Sequence, residues 1–355
     1  MRVLIAVVAC AGCNQIFGLD PPGTVPPDMG PGSDVDTTAC FGKFGSFSQG
    51  VCLKTQPSGM LDLPATISTD DPCSTNVLDP NLCVLDARTI RISGTTRVRG
   101  TRRLILVAAD TLIITGTLDA ASHLADGAGP GAEACTFAAA PSKQDGGAGG
   151  SFQALGGSGG VGGGGSDAGT PLAVPVPDNV AGGCGGQNGG ADTGATATGT
   201  GGAGGGALWL IAGGTIQVDG SVNASGAGGR GAQDMEQGGG GGGAGGMIVL
   251  DAPTLAIAPT SKLFADGGGG GGGATATAAG SAGSEADGIA PAAGGTSPAG
   301  AGGAGAHGAV LVGTTGDNAN TGAGGGGGGA GWIFIRAGNT PPAAAFSPAV
   351  ATFGP

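Results

Sequence analysis

Apolar and polar residues follow the same order in five short blocks of the chain. Each block begins with apolar residues and continues with an alanine, a turn of one or two residues and a threonine. In the first four blocks the threonine is followed by the pattern apolar-x-apolar, which is typical of a half-buried strand. The blocks span residues 84–92, 104–114, 208–218, 248–257 and 333–340.

A third short apolar stretch follows each of the first four blocks, after a turn that contains glycine or proline. Three short strands and three turns make one coil, and repeated units of this kind are the signature of solenoids. The pattern therefore predicts an all-β fold, a right-handed parallel β-solenoid of about four to five coils. The third stretches are centred on Val98, Leu118, Val222 and Leu263, after turns that carry Gly94, Gly116, Gly220 and Pro259.

The repeat also predicts columns of stacked residues. We expect one column of alanines, one of threonines and an apolar row beside the threonines. The threonines are interpreted as an internal hydrogen-bonded ladder, with an ice-binding or ligand-binding ladder as the alternative. The alanines are Ala87, Ala108, Ala212, Ala252 and Ala337, the threonines are Thr89, Thr111, Thr215, Thr254 and Thr340, and the apolar row is Ile90, Leu112, Ile216 and Leu255. We expect the pattern to fail after Thr340, where two prolines follow.

Long glycine-rich excursions separate the later blocks, over residues 124–206, 226–246 and 267–331. Structureless loops beyond about 15 residues are uncommon in compact domains, so these excursions require a physical account. One account is disorder. The other is polyglycine-II packing, in which extended strands without side chains lie close enough to form lateral hydrogen bonds. We favour ordered packing, because tract after tract leaves and re-enters the coil at the same point.

Composition and charge argue against a disordered chain and against a nucleic-acid-binding protein. It has 85 glycines and 22 prolines in 355 residues, a level that usually indicates low complexity. Only 11% of the residues are charged, however, which is unlike a solvated disordered chain. The net charge of −12 also disfavours nucleic acid as a partner, because a basic surface is expected there.

The amino terminus has the features of a bacterial export signal. Arg2 precedes the apolar run Val3–Ala9, and small residues then lead to Cys13, as in a lipobox. Cys13 is the preferred lipidation site and Cys10 the alternative, with an unlipidated secretory signal also open. The sequence thus predicts a signal peptide over 1–12 and a lipidated tether over 13–38, rich in proline, glycine and aspartate. No other segment is long and apolar enough to span a membrane.

An even number of cysteines remains after Cys10 and Cys13. In an exported chain this indicates disulfides, and pairing of neighbours is the simplest of the fifteen connectivities that six cysteines allow. Zinc is a weaker alternative, because the chain has no CxxC motif and no histidine near these cysteines. The six are Cys40, Cys52, Cys73, Cys83, Cys135 and Cys184. We therefore predict a disulfide-stapled cap over 39–83, the glycine-rich solenoid over 84–340 and a tail over 341–355.

The sequence CNQIFGLD after the lipobox, the early cysteines, and strands such as GGMIVLDAPT between GGGGGGG tracts carry a resemblance. The chain resembles uncharacterised glycine-rich surface lipoproteins of Gram-negative bacteria. The resemblance implies a place in the outer membrane or at the cell surface and no known activity. The glycine tracts are also similar, in composition, to the polyglycine-rich adhesins of phage tail tips.

Candidate catalytic and metal motifs are weak. The two histidines, His123 and His307, are far apart in sequence, and the match to G-x-S-x-G around Ser158 lacks its strand–turn–helix context. The segment 162–169 approximates a calcium-binding nonapeptide, but Gly169 stands where an apolar residue is required. We therefore predict no catalytic residue, no metal and no cofactor.

Three arginines form the one candidate binding surface. Arg91 alternates with Ile90 and Ile92, while Arg97 and Arg99 flank Val98. Period two predicts that the three guanidinium groups share one solvent face. That face suits anionic lipid headgroups or acidic polysaccharide. The alternative, which we favour, is a solvated face that discourages edge-to-edge aggregation.

These patterns favour a non-enzymatic function. We expect a cell-envelope lipoprotein with a structural or adhesive role, attached to the membrane by its lipid, with a polysaccharide or another surface component as partner. The alternative is a polysaccharide-active β-helix enzyme, a lyase or a hydrolase. That alternative requires a carboxylate pair, or a carboxylate with lysine or arginine, in one lateral groove, and no such set is evident from the sequence.

Overall fold

The computed structural model describes residues 39–42, 50–71, 73–77, 82–164, 166–190, 199–233, 236–339 and 346–351. The lipidation candidates Cys10 and Cys13, the tether and Thr340 lie outside these ranges. The described residues form β-strands and no helix. The strands are β1 (Ala39–Phe41), β2 (Val51–Leu53), β3 (Met60–Asp62), β4 (Thr66–Ser68), β5 (Cys83–Ile92), β6 (Thr95–Arg99), β7 (Leu104–Ile114), β8 (Thr117–Asp119), β9 (Ala207–Ala212), β10 (Thr215–Val218), β11 (Ser221–Asn223), β12 (Met247–Asp251), β13 (Thr254–Ile257), β14 (Lys262–Phe264), β15 (Trp332–Arg336) and β16 (Phe346–Ser347).

Two parallel sheets organise these strands. The larger has eight strands, in which β13-β10-β7-β9-β12-β15 form a continuous path and β5 joins β3 to β7. The smaller has six strands in the order β16-β14-β11-β8-β6-β4. The long strand β7 pairs with β9 along its first part and with β10 along its second part. The prediction of an all-β fold with parallel strands is confirmed.

The registers contain the predicted columns. Thr89 pairs with Thr111, Thr111 with Thr215, and Thr215 with Thr254. The neighbouring apolar row is at most 3% exposed, because it points into the core between the two sheets. Ala87, Ala108 and Ala212 pair in the same way, on the other side of the turn.

The strand after the first block, β6, is paired differently from the predicted alignment. Thr96, rather than Val98, pairs with Leu118, and Val98 instead pairs with Ile67 of β4. Both residues of β6 are buried, at 2% and 0% exposure. Because β6 is longer than the strands that follow it, it has two inward positions, Thr96 and Val98. Only one of them can pair with Leu118, and the pattern of apolar residues selected the wrong one.

The segment predicted as a disulfide-stapled cap, residues 39–83, contributes strands to both sheets. Strands β3 and β4 extend the sheets in parallel with β5 and β6. Strands β1 and β2 form an antiparallel hairpin instead. The described residues from Ala39 to Ala351 belong to one compact unit. Disulfides join the neighbouring cysteines, Cys40 to Cys52, Cys73 to Cys83, and Cys135 to Cys184.

A second core covers the outer face of the larger sheet. Trp209, Ile105 and Val249 project from its strands into this layer. Leu53 of the hairpin and Phe152 of the first excursion are buried with them. The sheet is therefore packed on both faces along this part, as parallel sheets usually are.

The glycine-rich excursions are extended tracts that hydrogen-bond to one another. Tract 237–246 donates to tracts 182–190, 224–232 and 322–331, and accepts from tracts 145–150, 199–206 and 265–274. Gly239 and Gly242 both donate to tract 322–331, at N–O distances of 2.9 Å to Ala323 and Gly326. The two amides between them point to the other neighbours. The direction of the hydrogen bonds thus repeats every third residue, unlike the two-residue period of a strand.

Three central tracts, 237–246, 265–274 and 322–331, are surrounded by other tracts and are buried throughout. They contain the longest runs of glycine. At Gly242 a Cβ would overlap the carbonyl oxygen of Gly268, and at Gly270 it would overlap that of Gly325. The close approach of neighbouring backbones leaves no space for a side chain, which is why these runs are glycine.

The two parallel sheets together are called the strand stack below. The tracts share a common base at this stack. Tract 237–246 ends directly before β12, and tract 322–331 ends directly before β15. Tract 265–274 begins directly after β14. We call this set of tracts the glycine block, and its other end, remote from the strands, the far end. Within the described part of the chain there is no helix that is both long and apolar enough to span a bilayer.

Candidate functional site

The predicted arginine face is not formed. Arg91 lies in β5 of the larger sheet, whereas Arg97 and Arg99 lie in β6 of the smaller sheet. Arg91 and Arg99 are exposed, but the Arg97 side chain is only 12% exposed. The two-residue alternation of inward and outward side chains is correct within β5 and within β6. The turn between these strands, however, leads the chain from the larger to the smaller sheet. The inference of one shared face across that turn is therefore wrong.

Arg97 instead belongs to a charged cluster at the base of the glycine block. Its Nη1 lies 3.3 Å from Asp119 Oδ2 and donates to the Ala121 carbonyl at 2.6 Å. His123 bridges two carboxylates, with Nε2 3.1 Å from Asp119 Oδ2 and Nδ1 2.5 Å from Glu285 Oε2. The cluster therefore joins strands β6 and β8 to the tract that contains Glu285.

The ionisation of this cluster follows from its contacts. Hydrogen bonds with Asp119 and then Glu285 raise the pKa of His123 to about 9. Burial is the largest single influence on the pKa of Asp119 and of Glu285 and raises both values. The hydrogen bond with His123, a backbone hydrogen bond and the positive charges of His123 and Arg97 together outweigh it, so both pKa values are lowered. At neutral pH an imidazolium ion is thus held between two carboxylates. Such an arrangement fastens strand β8 to the tract that contains Glu285.

The second histidine lies in a Ser-His-Asp group without the geometry of a catalytic triad. His307 Nδ1 is 3.0 Å from Asp266 Oδ2 and 3.1 Å from Ser347 Oγ, so one ring nitrogen faces both partners. A triad uses the two ring nitrogens separately. Ser347 Oγ also donates to Asp266 Oδ1 at 2.6 Å and accepts from the Gly308 amide at 2.8 Å. Burial raises the pKa of Asp266. The group holds β16 against the base of the glycine block.

The G-x-S-x-G match and the candidate calcium segment both lie in the glycine block, where their residues form hydrogen bonds with neighbouring segments. Ser158 lies within extended tract 156–163, and its carbonyl accepts from the Gly316 amide at 3.0 Å. The candidate calcium segment 162–169 is described except for Gly165, and Gly162 donates to buried Asp145 Oδ1 at 2.7 Å. Among the described residues no group of three histidine, cysteine or acidic side chains could hold a metal ion.

Polar loops cluster at the far end of the glycine block. They are fixed by hydrogen bonds between side chains and backbone: Asn318 Oδ1 accepts from Val161 N at 2.7 Å, and Thr275 Oγ1 accepts from Ala278 N at 3.0 Å. Next to these hydrogen-bonded residues lie exposed polar side chains, for example those of Thr277 and Asn320. We call these segments the far loops, and they are 138–144, 166–170, 275–279, 297–299 and 318–321.

The far loops and the clusters at the base could not be found from sequence spacing. Asp119 and His123 are four residues apart, but Glu285 is 162 positions from His123. Only the arrangement of the tracts brings Glu285 to this point. No protein-family model matches the chain, and neither a curated protein nor a solved structure does.

Proposed function

We propose that the chain is an exported cell-envelope lipoprotein that presents the far loops in a structural or adhesive role. In this proposal the parallel strands form a right-handed β-solenoid, and the glycine block is a polyglycine-II bundle standing on it. The anchor is an acylated Cys13, or Cys10 in the alternative register. The bound component is a polysaccharide or another constituent of a cell surface.

The solenoid is supported by the order of the chain through the two sheets. Strands β9 and β10 lie in the larger sheet and β11 in the smaller one, and β12, β13 and β14 repeat this order. Thr215 pairs with Thr254 and Val222 with Leu263, so the successive units stack in register. Stacked units of one supersecondary type are how solenoids bury a continuous core.

The polyglycine-II assignment is supported by the three-residue repeat of hydrogen-bond directions. A left-handed extended helix has three residues per turn and no internal hydrogen bonds, so every amide is available to a neighbouring chain. Tract 237–246 uses its amides in this way, in three directions. At a rise of about 3.1 Å per residue, this tract of ten residues spans about 30 Å.

The observation that carries the function is the position of the far loops. A laterally hydrogen-bonded block without room for side chains is rigid, and it ends in exposed polar loops. Binding residues are commonly placed on loops that a rigid scaffold positions. The glycine block is therefore interpreted as a spacer that holds these loops about 30 Å from the strands.

The envelope location is supported by the disulfides and by the amino-terminal signal sequence. Three disulfides indicate an oxidising, extracytoplasmic environment. The amino-terminal sequence supports anchoring, because two or more acyl chains give a stable membrane attachment. Replacing both Cys10 and Cys13 by Ser should move the protein from the detergent phase to the aqueous phase. Unchanged partitioning of this variant would refute the lipid anchor.

The adhesive role is tested with the purified mature protein. Binding to a panel of glycans and to whole cells is measured for the native protein and for Thr277→Ala/Asn320→Ala, which alters two far loops. We expect cell binding that this variant weakens and a control variant in strand β5, Arg88→Gln, does not. Retention of full binding by the far-loop variant would contradict the assignment. Shortening of any glycan during incubation would favour the enzyme alternative.

A further inference from the structure

A cleft lies between the disulfide hairpin and the last turns of the larger sheet. Its volume is about 470 Å³. Phe41 and Gly42 of the hairpin form one wall, and turn residues such as Pro253 and Ala337 form the other. Ligand pockets for small molecules measure about 300–1,000 Å³, so the cleft has a suitable size.

A charged pair lies in this cleft. Asp251 and Arg336 are paired residues of the parallel strands β12 and β15. Arg336 Nη2 is 2.6 Å from Asp251 Oδ1. The Asp251 side chain is 4% exposed, whereas the Arg336 side chain is 53% exposed. A buried carboxylate thus faces a guanidinium group that remains accessible from the cleft.

The pair lies at the end of a row of mixed character. Asp86 begins this row, Val107 and Ile211 follow it and are buried and apolar, and Asp251 and Arg336 end it. Burial of a carboxylate is costly, and an apolar residue would pack in that row without this cost. Gly42 keeps the hairpin close to the carboxylate, since a Cβ there would lie 3.0 Å from Asp251 Oδ2 and 2.8 Å from the Trp209 ring.

We propose that this cleft binds a neutral sugar unit of a glycan. The proposal rests on the adhesive function above and adds a second binding site to it, at the side of the strand stack. The Arg336 side chain is 53% exposed and has five N–H donors, of which its contact with Asp251 uses a part. The vicinal hydroxyl oxygens of a sugar match the remaining donors.

The wall composition favours a neutral ligand. The charges of Asp251 and Arg336 compensate each other, so the cleft has no net charge from this pair to attract an anion. Phe41, Pro253 and the neighbouring alanines provide an apolar surface for the C–H faces of a sugar ring. Apolar walls with a few convergent polar groups are the usual composition of small-molecule sites.

The test compares two double variants of the full mature protein. Asp251→Asn/Arg336→Gln removes both charges of this pair together. The control, Arg88→Gln/Asp110→Asn, removes an exposed ion pair of 3.8 Å at the turn of an earlier coil. Thermal unfolding verifies that both variants are folded.

Binding is measured by titration with neutral trisaccharides of glucose, galactose and mannose, and with a trisaccharide of galacturonic acid. Calorimetry is combined with tryptophan fluorescence, because Trp209 lies against Gly42 at the cleft. We expect at least one neutral trisaccharide to bind, with an affinity that falls about tenfold or more in the cleft variant and stays unchanged in the control.

Each other outcome overturns the proposal. Equal binding of neutral sugars by the cleft variant places the sugar site elsewhere and leaves adhesion by the far loops intact. Binding of the galacturonate trisaccharide alone contradicts the neutral ligand. Absence of any binding at about 10 mM sugar removes the cleft as a sugar site, while adhesion to whole cells is decided separately by the far-loop variant.

Discussion

The glycine block makes one substitution especially informative, Gly270→Val in the centre of tract 265–274. A Cβ at this position would overlap the carbonyl oxygen of Gly325 and would lie 2.6 Å from its carbonyl carbon, whereas real Cβ contacts stay beyond 3.0 Å. The backbones must therefore separate by on the order of 1 Å. Hydrogen bonds of 2.8–2.9 Å hold this region together, and such a separation takes them beyond the usual limit of about 3.2 Å.

The cost follows from the number of bonds affected. Gly270 donates to Gly303 and accepts from Gly295, each at 2.8 Å, and the Gly325 amide donates to Gly271 at 2.9 Å. Each buried group left without a partner costs about 1–3 kcal/mol. Loss of two or three bonds gives a destabilisation of about 3–6 kcal/mol. At about 2–4 °C per kcal/mol for a domain of a few hundred residues, Tm falls by on the order of 10 °C.

A matched control lies in another glycine run. At Gly164 an added Cβ would meet only side-chain atoms of Gln144 and Lys143, at 3.5 Å or more. Gly164→Val therefore introduces the same side chain at an open position. Thermal unfolding of both variants is followed by circular dichroism with the disulfides intact. Equal Tm values for the two variants, within about 1 °C, would refute the close packing of the central tracts.

Three further predictions concern the base of the block, the core and the side tracts. Because the folded-state pKa of His123 is raised to about 9, its stabilisation is complete below pH about 6.5 and is lost as pH rises through 9; Tm should fall over this range in the native protein and less in His123→Gln. Ile216→Ala removes a fully buried side chain and should cost about 2–5 kcal/mol in denaturant unfolding, whereas the outward Gln217→Ala should change little. Ser158→Gly should leave Tm nearly unchanged while Gly157→Ser lowers it, since a Cβ at Gly157 would overlap the Thr314 carbonyl oxygen.

The strand stack was largely predictable from sequence because its rule is local. An inward Ile216 and an outward Gln217 follow from period two within a single strand. Stacking of Thr215 on Thr254 follows from comparing two blocks. The prediction failed where the chain turns a corner, as between Ile92 and Arg97, because the apolar pattern does not record which sheet the next strand joins.

The clusters at the base were beyond sequence analysis for a different reason. The contact between His123 and Glu285 depends on the path of several glycine tracts between them. Glycine carries no side-chain information, so nothing in those tracts specifies which neighbours they take. The pairing of Asp266 with His307 has the same origin. Both contacts are consequences of lateral packing across the block.

The glycine pattern nevertheless records how deeply each tract lies in the block. The hydrogen-bond directions repeat every third residue, so a tract has three sets of positions, and a set is mostly glycine or alanine where another tract faces it. In the central run 267–273 all three sets are glycine. In tract 156–163 two sets are glycine, and the third carries half-exposed Ser158 and exposed Val161.

At the margin of the block a single set is enclosed. In tract 313–319 the buried positions Gly313 and Gly316 are three residues apart, and the residues between and beside them are exposed and bear side chains. Tract 280–284 repeats this spacing with Gly280 and Gly283. A side chain that points outward also prevents a further strand from adding to the edge, as charged residues do on exposed sheet edges. The non-glycine residues of a glycine-rich tract therefore define the outer boundary of the block, and the longest pure runs mark its centre.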